Sequence, residues 1–149
     1  MAEKKIFINL PVADVAASTA FYEAIGATKN AQFSQAGVAS AMVFSDAITI
    51  MILSHEHFAR FAHRPIADAH ATAQVLITMT EESREAVDAI VAKAAAAGGK
   101  PDPSPVDDYG WMYGRSFEDL DGHGFGPMWM DEEAALKAMC AGAPAMVDA

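Results

Sequence analysis

The sequence predicts an α+β fold: two βαβββ modules whose sheets curve together into a half-barrel cup, with helices on the outside. Two observations carry this prediction. Apolar periodicity runs strand, helix, three strands, and then repeats in the same order, an internal repeat of elements rather than of residues. The chain of 149 residues is also 52% hydrophobic, enough for a sizeable core and too apolar for disorder. A single domain over 1–149 is expected, with modules at about 5–54 and 72–131.

Lys5–Val12 reads as the first strand, and Asp14 is placed to cap the helix after it. In that helix Val15, Ser18, Phe21, Tyr22 and Ile25 share an arc of about 120°, with Glu23 on the other side. Gly26 ends it. Strands are expected at about Lys29–Phe33, Val38–Phe44 and Ala47–Leu53, split by Gly37 and Ser45–Asp46. His55–Ala71, with four histidines and Pro65, reads as a polar linker.

Gln74–Met79 opens the second module, and Thr80 is the expected cap of a helix with Val87, Ile90, Val91 and Ala94 on one arc. Gly98–Gly99 stop it. Pro101–Asp108 is turn-rich, Trp111–Phe117 and Phe125–Met130 read as strands, and Asp131 caps a short last helix. Gly142–Ala149 reads as a loose tail.

A net charge of −10 without a basic patch argues against nucleic acid and anionic membrane as partners. The single cysteine, Cys140, excludes an internal disulfide and suits a cytoplasmic setting. No apolar run reaches the length of a signal peptide core or of a membrane span.

Two segments carry a family resemblance: F-I-N-L-P-V-A-D-V-A-A-S-T-A-F-Y-E-A-I-G at Phe7–Gly26, and the turn E-D-L-D-G-H at Glu118–His123. With the element order, they resemble the vicinal oxygen chelate superfamily of glyoxalase I, extradiol dioxygenases and bleomycin-resistance proteins. The resemblance covers nearly the whole chain. It implies a cup in which enzymes of the family hold a divalent metal through ligands from four strands. The resemblance puts those ligands at Phe7, near Met51 (flanked on its face by Thr49 and Leu53), at Gln74 and at Gly126. Only Gln74 can donate, and one amide oxygen does not hold a catalytic ion.

No catalytic residue, metal ligand or cofactor is therefore expected. The leading expectation is a metal-independent small-molecule binding protein, similar to the bleomycin-resistance branch and dimeric as resembling proteins often are. A lyase or dioxygenase of glyoxalase type with a non-standard site is the alternative, and a ligand-free interaction module the third reading. The expected ligand-binding set is Phe7, Asn9, Met51, Gln74, Trp111, Tyr113, Arg115 and Met128: an apolar wall with sparse polar groups. Arg115 is the candidate anion contact, weighed against an ion pair with Glu118 or Asp119. The histidines between His55 and His70 are weighed as a second metal site against a solvated linker, and His123 is expected to be solvated. D-L-D-G is not a calcium loop, because Met130 stands where such a loop needs a Glu.

Overall fold

The computed structural model describes residues 2–142. The first module is β1 (Ile6–Val12), α1 (Val15–Ala24), β2 (Thr28–Gln35), β3 (Ala39–Val43) and β4 (Ile48–Ser54). Its sheet runs β1-β4-β3-β2, with β1 parallel to β4 and the rest antiparallel. Asp14 caps α1 as expected, its carboxylate accepting from Ala17 N at 3.0 Å. Ile50 and Ile52 lie fully buried on the helix side of β4, beside Leu10 and Val12 of β1. Strand alternation turns Phe7, Asn9 and Met51 to the opposite, inner face.

The expected linker after β4 is not only a linker. Ser54 caps a short helix, α2 (His55–Ala59), which lies against β1 and β4. The sequence hides it because the helix is a single turn and a half with no apolar stripe of its own.

The second module is more broken. β5 (Leu76–Ile77) is followed by α3 (Arg84–Ala96), then β6 (Lys100–Pro101), β7 (Asp107–Asp108), β8 (Met112–Gly114), β9 (Phe117–Glu118), β10 (Gly124–Phe125) and β11 (Met128–Met130). Two small sheets result, β5-β10-β9-β6 and β11-β8-β7. Pro127 cannot donate to a ladder, and Arg115 N instead reaches the Pro127 carbonyl at 3.2 Å, so the strand pair is interrupted there. The cap of α3 is Ser83, not Thr80: Thr80 still bridges to Met128, and Glu81 N bonds Met128 O at 2.8 Å, so the helix starts three residues later than expected. Asp131 caps α4 (Glu132–Cys140). Of the predicted tail, 143–149 lie outside the described residues.

One core joins the modules. Phe117 and Phe125 stack with centroids 5.1 Å apart, and Tyr22 and Phe21 of α1 pack on them. The Asp119–His123 turn pins this junction. Tyr22 Oη donates to the buried Asp119 carboxylate at 2.6 Å, Ala13 N donates to Asp121 at 2.8 Å, and His123 Nε2 donates to the Pro11 carbonyl at 2.8 Å. His123 is thus half-buried and engaged rather than solvated. The acidic turn that carried the family resemblance is, in this chain, the clamp between its two halves.

Candidate functional site

Phe117 and Phe125 point to the core, so the side chains before and after them in their strands point the other way. The expected strand Gln74–Met79 shortens to Leu76–Ile77; Gln74, Leu76, Thr78, Glu118, Gly124, Gly126 and Met128 line a cavity of about 940 Å³, which Ile77, Phe117 and Phe125 also border. Leu10 and Pro11 close it on the first-module side. The segment from Phe58 to Ala73 lies over it as a strap. A Cβ placed on Gly122 would lie 2.8 Å from His70 Nδ1, so that strap rests directly on the acidic turn.

A smaller cavity of about 450 Å³ lies over the first module, lined by Asn9, Leu53, Phe58, Phe61 and Ala62. Phe58, Phe61 and Ala62 line both cavities, so α2 and the turn after it partition the cup. The eight residues expected at one site are accordingly divided. Gln74, Arg115 and Met128 line the large cavity, and Asn9 lines the small one. Phe7 and Met51 share the inner face with Asn9 but line neither cavity, and Phe7 is 55% exposed.

Trp111 and Tyr113 line neither cavity, and Tyr113 and Arg115 reach toward α3. Tyr113 Oη donates to Asp88 of α3 at 2.7 Å, and Trp111 stacks on Tyr109. Arg115 forms ion pairs with Asp88 at 2.8 Å and Asp102 at 2.6 Å. Its partners are neither Glu118 nor Asp119, and it lines the large cavity while paired with these two carboxylates. These hydrogen bonds hold Asp88, through Tyr113 first and Arg115 second, and Asp102, through Arg115, below the usual carboxylate range. Arg84 makes a parallel cluster: it pairs with Asp108 at 2.6 Å and lies over the Tyr113 and Trp129 rings. Asp108 is lowered to about 2, chiefly by the Arg84 hydrogen bond.

The family metal set does not fit an ion here. Phe7 and Gly126 offer no donor atom, and Met51 offers only a soft thioether. A Cβ at Gly126 would face Thr78 Oγ1 at 3.3 Å, so a side chain there would project over the cavity floor, and this chain has none. Among the described residues, no three His, Cys, Asp or Glu side chains gather into a metal-holding group. Residues missed from the sequence are Leu76, Thr78, Gly124 and Glu118. Their signal was the alternation around Phe117 and Phe125, legible once those two rings are known to face the core.

Comparison with known proteins agrees with this architecture. The family model described as Glyoxalase/Bleomycin resistance protein/Dioxygenase superfamily matches residues 6–126. A hypothetical protein from S. aureus is similar at 26% identity and TM-score 0.70, covering 87% of this chain and 95% of its own. A glyoxalase/bleomycin resistance protein/dioxygenase family enzyme from Burkholderia phytofirmans PsJN shares the fold at 21% identity and TM-score 0.68, over 84% of this chain and 97% of that one. A glyoxalase-related enzyme from Fulvimarina pelagi does so at 15% identity and TM-score 0.70, over 86% and 88%. No curated protein matches the chain.

Proposed function

The chain belongs to the Glyoxalase/Bleomycin resistance protein/Dioxygenase superfamily, and we propose that within it this protein binds a small molecule in the larger cavity without a resident metal. The observation that carries the reading is Gly126: the cavity is present, and the wall position where the family resemblance puts a carboxylate has no side chain. The cavity volume of about 940 Å³ falls in the range of small-molecule sites. Its wall combines apolar residues such as Leu10, Phe61 and Leu76 with polar and charged ones, Gln74, Thr78, His70 and Glu118 among them. A ligand would gain roughly 25 cal/mol per Å² of apolar area buried, and the polar groups would orient it.

A second reading, a lyase or dioxygenase with a non-standard metal site, draws on His63 and His70 in the strap that lines the same cavity. The two separate by experiment. Thermal-shift screening of a metabolite set against chelator-treated protein should yield stabilising ligands, and Gln74→Leu should weaken the polar ones while the fold survives. Stoichiometric metal in untreated protein, with ligand stabilisation lost on chelation, would overturn the metal-independent reading.

We further propose a homodimer. The support is the apolar surface left open by one chain, with Phe7 55% and Phe33 65% exposed. Sedimentation equilibrium tests it, and a monomer at micromolar concentration would refute it. The net charge of −10 disfavours nucleic acid as a partner. Among the described residues no helix is long and apolar enough to cross a membrane. We propose a cytoplasmic setting, on the strength of the lone free cysteine, Cys140.

A further inference from the structure

The floor of the large cavity holds a carboxylate that nothing in the fold uses. Glu118 follows the core ring of Phe117 and so faces the cavity, which it lines. Its direct cross-strand neighbour is Gly124, whose own neighbour on the other side is Leu76. On its far side Glu118 stands opposite Lys100. The row across the floor therefore reads Leu76, Gly124, Glu118, Lys100. Gly126 lies two residues beyond Gly124 on the same face. Leu76 leans over Gly124, its Cδ2 2.9 Å from where a Cβ would lie, and Thr78 Oγ1 stands 3.3 Å from the Cβ position of Gly126, so the floor beside Glu118 carries an apolar cover and one hydroxyl.

Glu118 is partly buried, yet it makes no ion pair and no side-chain hydrogen bond among the described residues. Lys100, though opposite, is exposed and unpaired with it. The nearest cation in sequence, Arg115, is taken by Asp88 and Asp102. A carboxylate only accepts hydrogen bonds, and this one, open to water rather than sealed in, is free to accept from a donor on a ligand. The net charge of −10 adds a field that draws cations toward the molecule.

We propose that Glu118 is the anchor for a protonated amine carried on an apolar body, the body packing on Leu76 where it covers Gly124. The proposal rests on the reading of the cavity as a small-molecule site. Arg64 on the strap and Arg115 line the same cavity and would favour the opposite charge, Arg115 being paired with Asp88 and Asp102. Arg64, however, is exposed on the covering segment, whereas Glu118 sits on a strand paired on both sides, where its charge is screened less.

The test uses two probes of one shape, protonated naphthylmethylamine and neutral naphthylmethanol, titrated at neutral pH and low salt. Wild type should bind the amine roughly tenfold tighter than the alcohol, the worth of one charge-assisted hydrogen bond. Glu118→Gln should bring the amine down to the alcohol's affinity and leave the alcohol unchanged. Glu118→Asp should restore part of the preference. Equal affinities in wild type, or tighter binding of the alcohol, overturn the cation assignment and leave the cavity reading standing. Equal loss of both probes in Glu118→Gln, with a lowered melting temperature, assigns Glu118 a structural role and overturns it as well. If neither probe binds, or if Leu76→Asp leaves alcohol binding untouched, the cavity reading itself fails and the inference falls with it.

Discussion

Tyr22→Phe removes one oxygen atom from the centre of the molecule and tests whether the acidic turn clamps the two modules. Tyr22 is fully buried and Asp119 only 4% exposed, and their side chains meet at 2.6 Å. Asp119 Oδ1 keeps its bonds from the backbone N–H groups of Asp121 and His123, but Oδ2 loses its donor. Phe fills nearly the same volume, so no cavity term arises. The loss is one hydrogen bond to a buried charged group, about 2 kcal/mol. For a domain of this size that lowers the melting temperature by roughly 4–8 °C.

The cost should also depend on pH. Burial holds the Asp119 carboxyl above its ordinary range, while the His123 charge and the Tyr22 hydrogen bond pull it down. In wild type, the raised folded value means that Asp119 opposes folding increasingly as pH climbs from the unfolded carboxylate range through the folded one. Removing the Tyr22 hydroxyl raises the folded value further. The variant's deficit is therefore smaller below that window, where Asp119 is protonated, and full above it. Urea melts at pH 4.5 and pH 8 measure it, and Asp119→Asn in a double-mutant cycle isolates the pair. A deficit under about 0.5 kcal/mol at pH 8, or one that shrinks as pH rises, would refute the reasoning.

Three further outcomes are expected. Gly99→Ala should destabilise by about 3 kcal/mol, because its Cβ would lie 2.5 Å from the Glu118 carbonyl and 2.9 Å from the Phe21 ring, with backbone unable to yield; chemical denaturation reads this directly. Arg115→Gln should flatten the acid limb of the stability–pH curve: Asp88 and Asp102 have lowered folded values, so their contribution is present above the unfolded carboxylate range and lost as pH falls through the folded values. Melting curves from pH 7 down to pH 3 would show wild type and variant converging, and parallel curves would contradict the ion-pair assignment. Gly126→Glu should confer no metal-dependent turnover on dicarbonyl or catechol substrates, since Phe7 and Met51 still leave the coordination set open; robust turnover with added divalent ions would show that the ligand positions are misassigned.

Much of the architecture was legible before folding. The arcs of α1 and α3, the caps Asp14 and Asp131 and the first-module strands all follow from local chemistry, and local chemistry is written residue by residue, whereas the expected three strands after α3 break into six short ones. The vacancy at Gly126 was legible too, because a missing side chain needs no coordinates. Two things depended on the tertiary structure. One is the strap: α2 and the chain after it divide the cup because Phe58 and Phe61 find the inner face, a long-range contact with no local signal. The other is parity. Alternation states that Trp111, Tyr113 and Arg115 share a face; the register that sets Met128 opposite Gly114 comes from the sheet pairing. Alternation does not state which face is inward. The stack of Phe117 on Phe125, buried under α1, makes that choice for the whole second module. The same choice turns Tyr113 and Arg115 toward the carboxylate of Asp88 on α3 and leaves Glu118 facing the cavity.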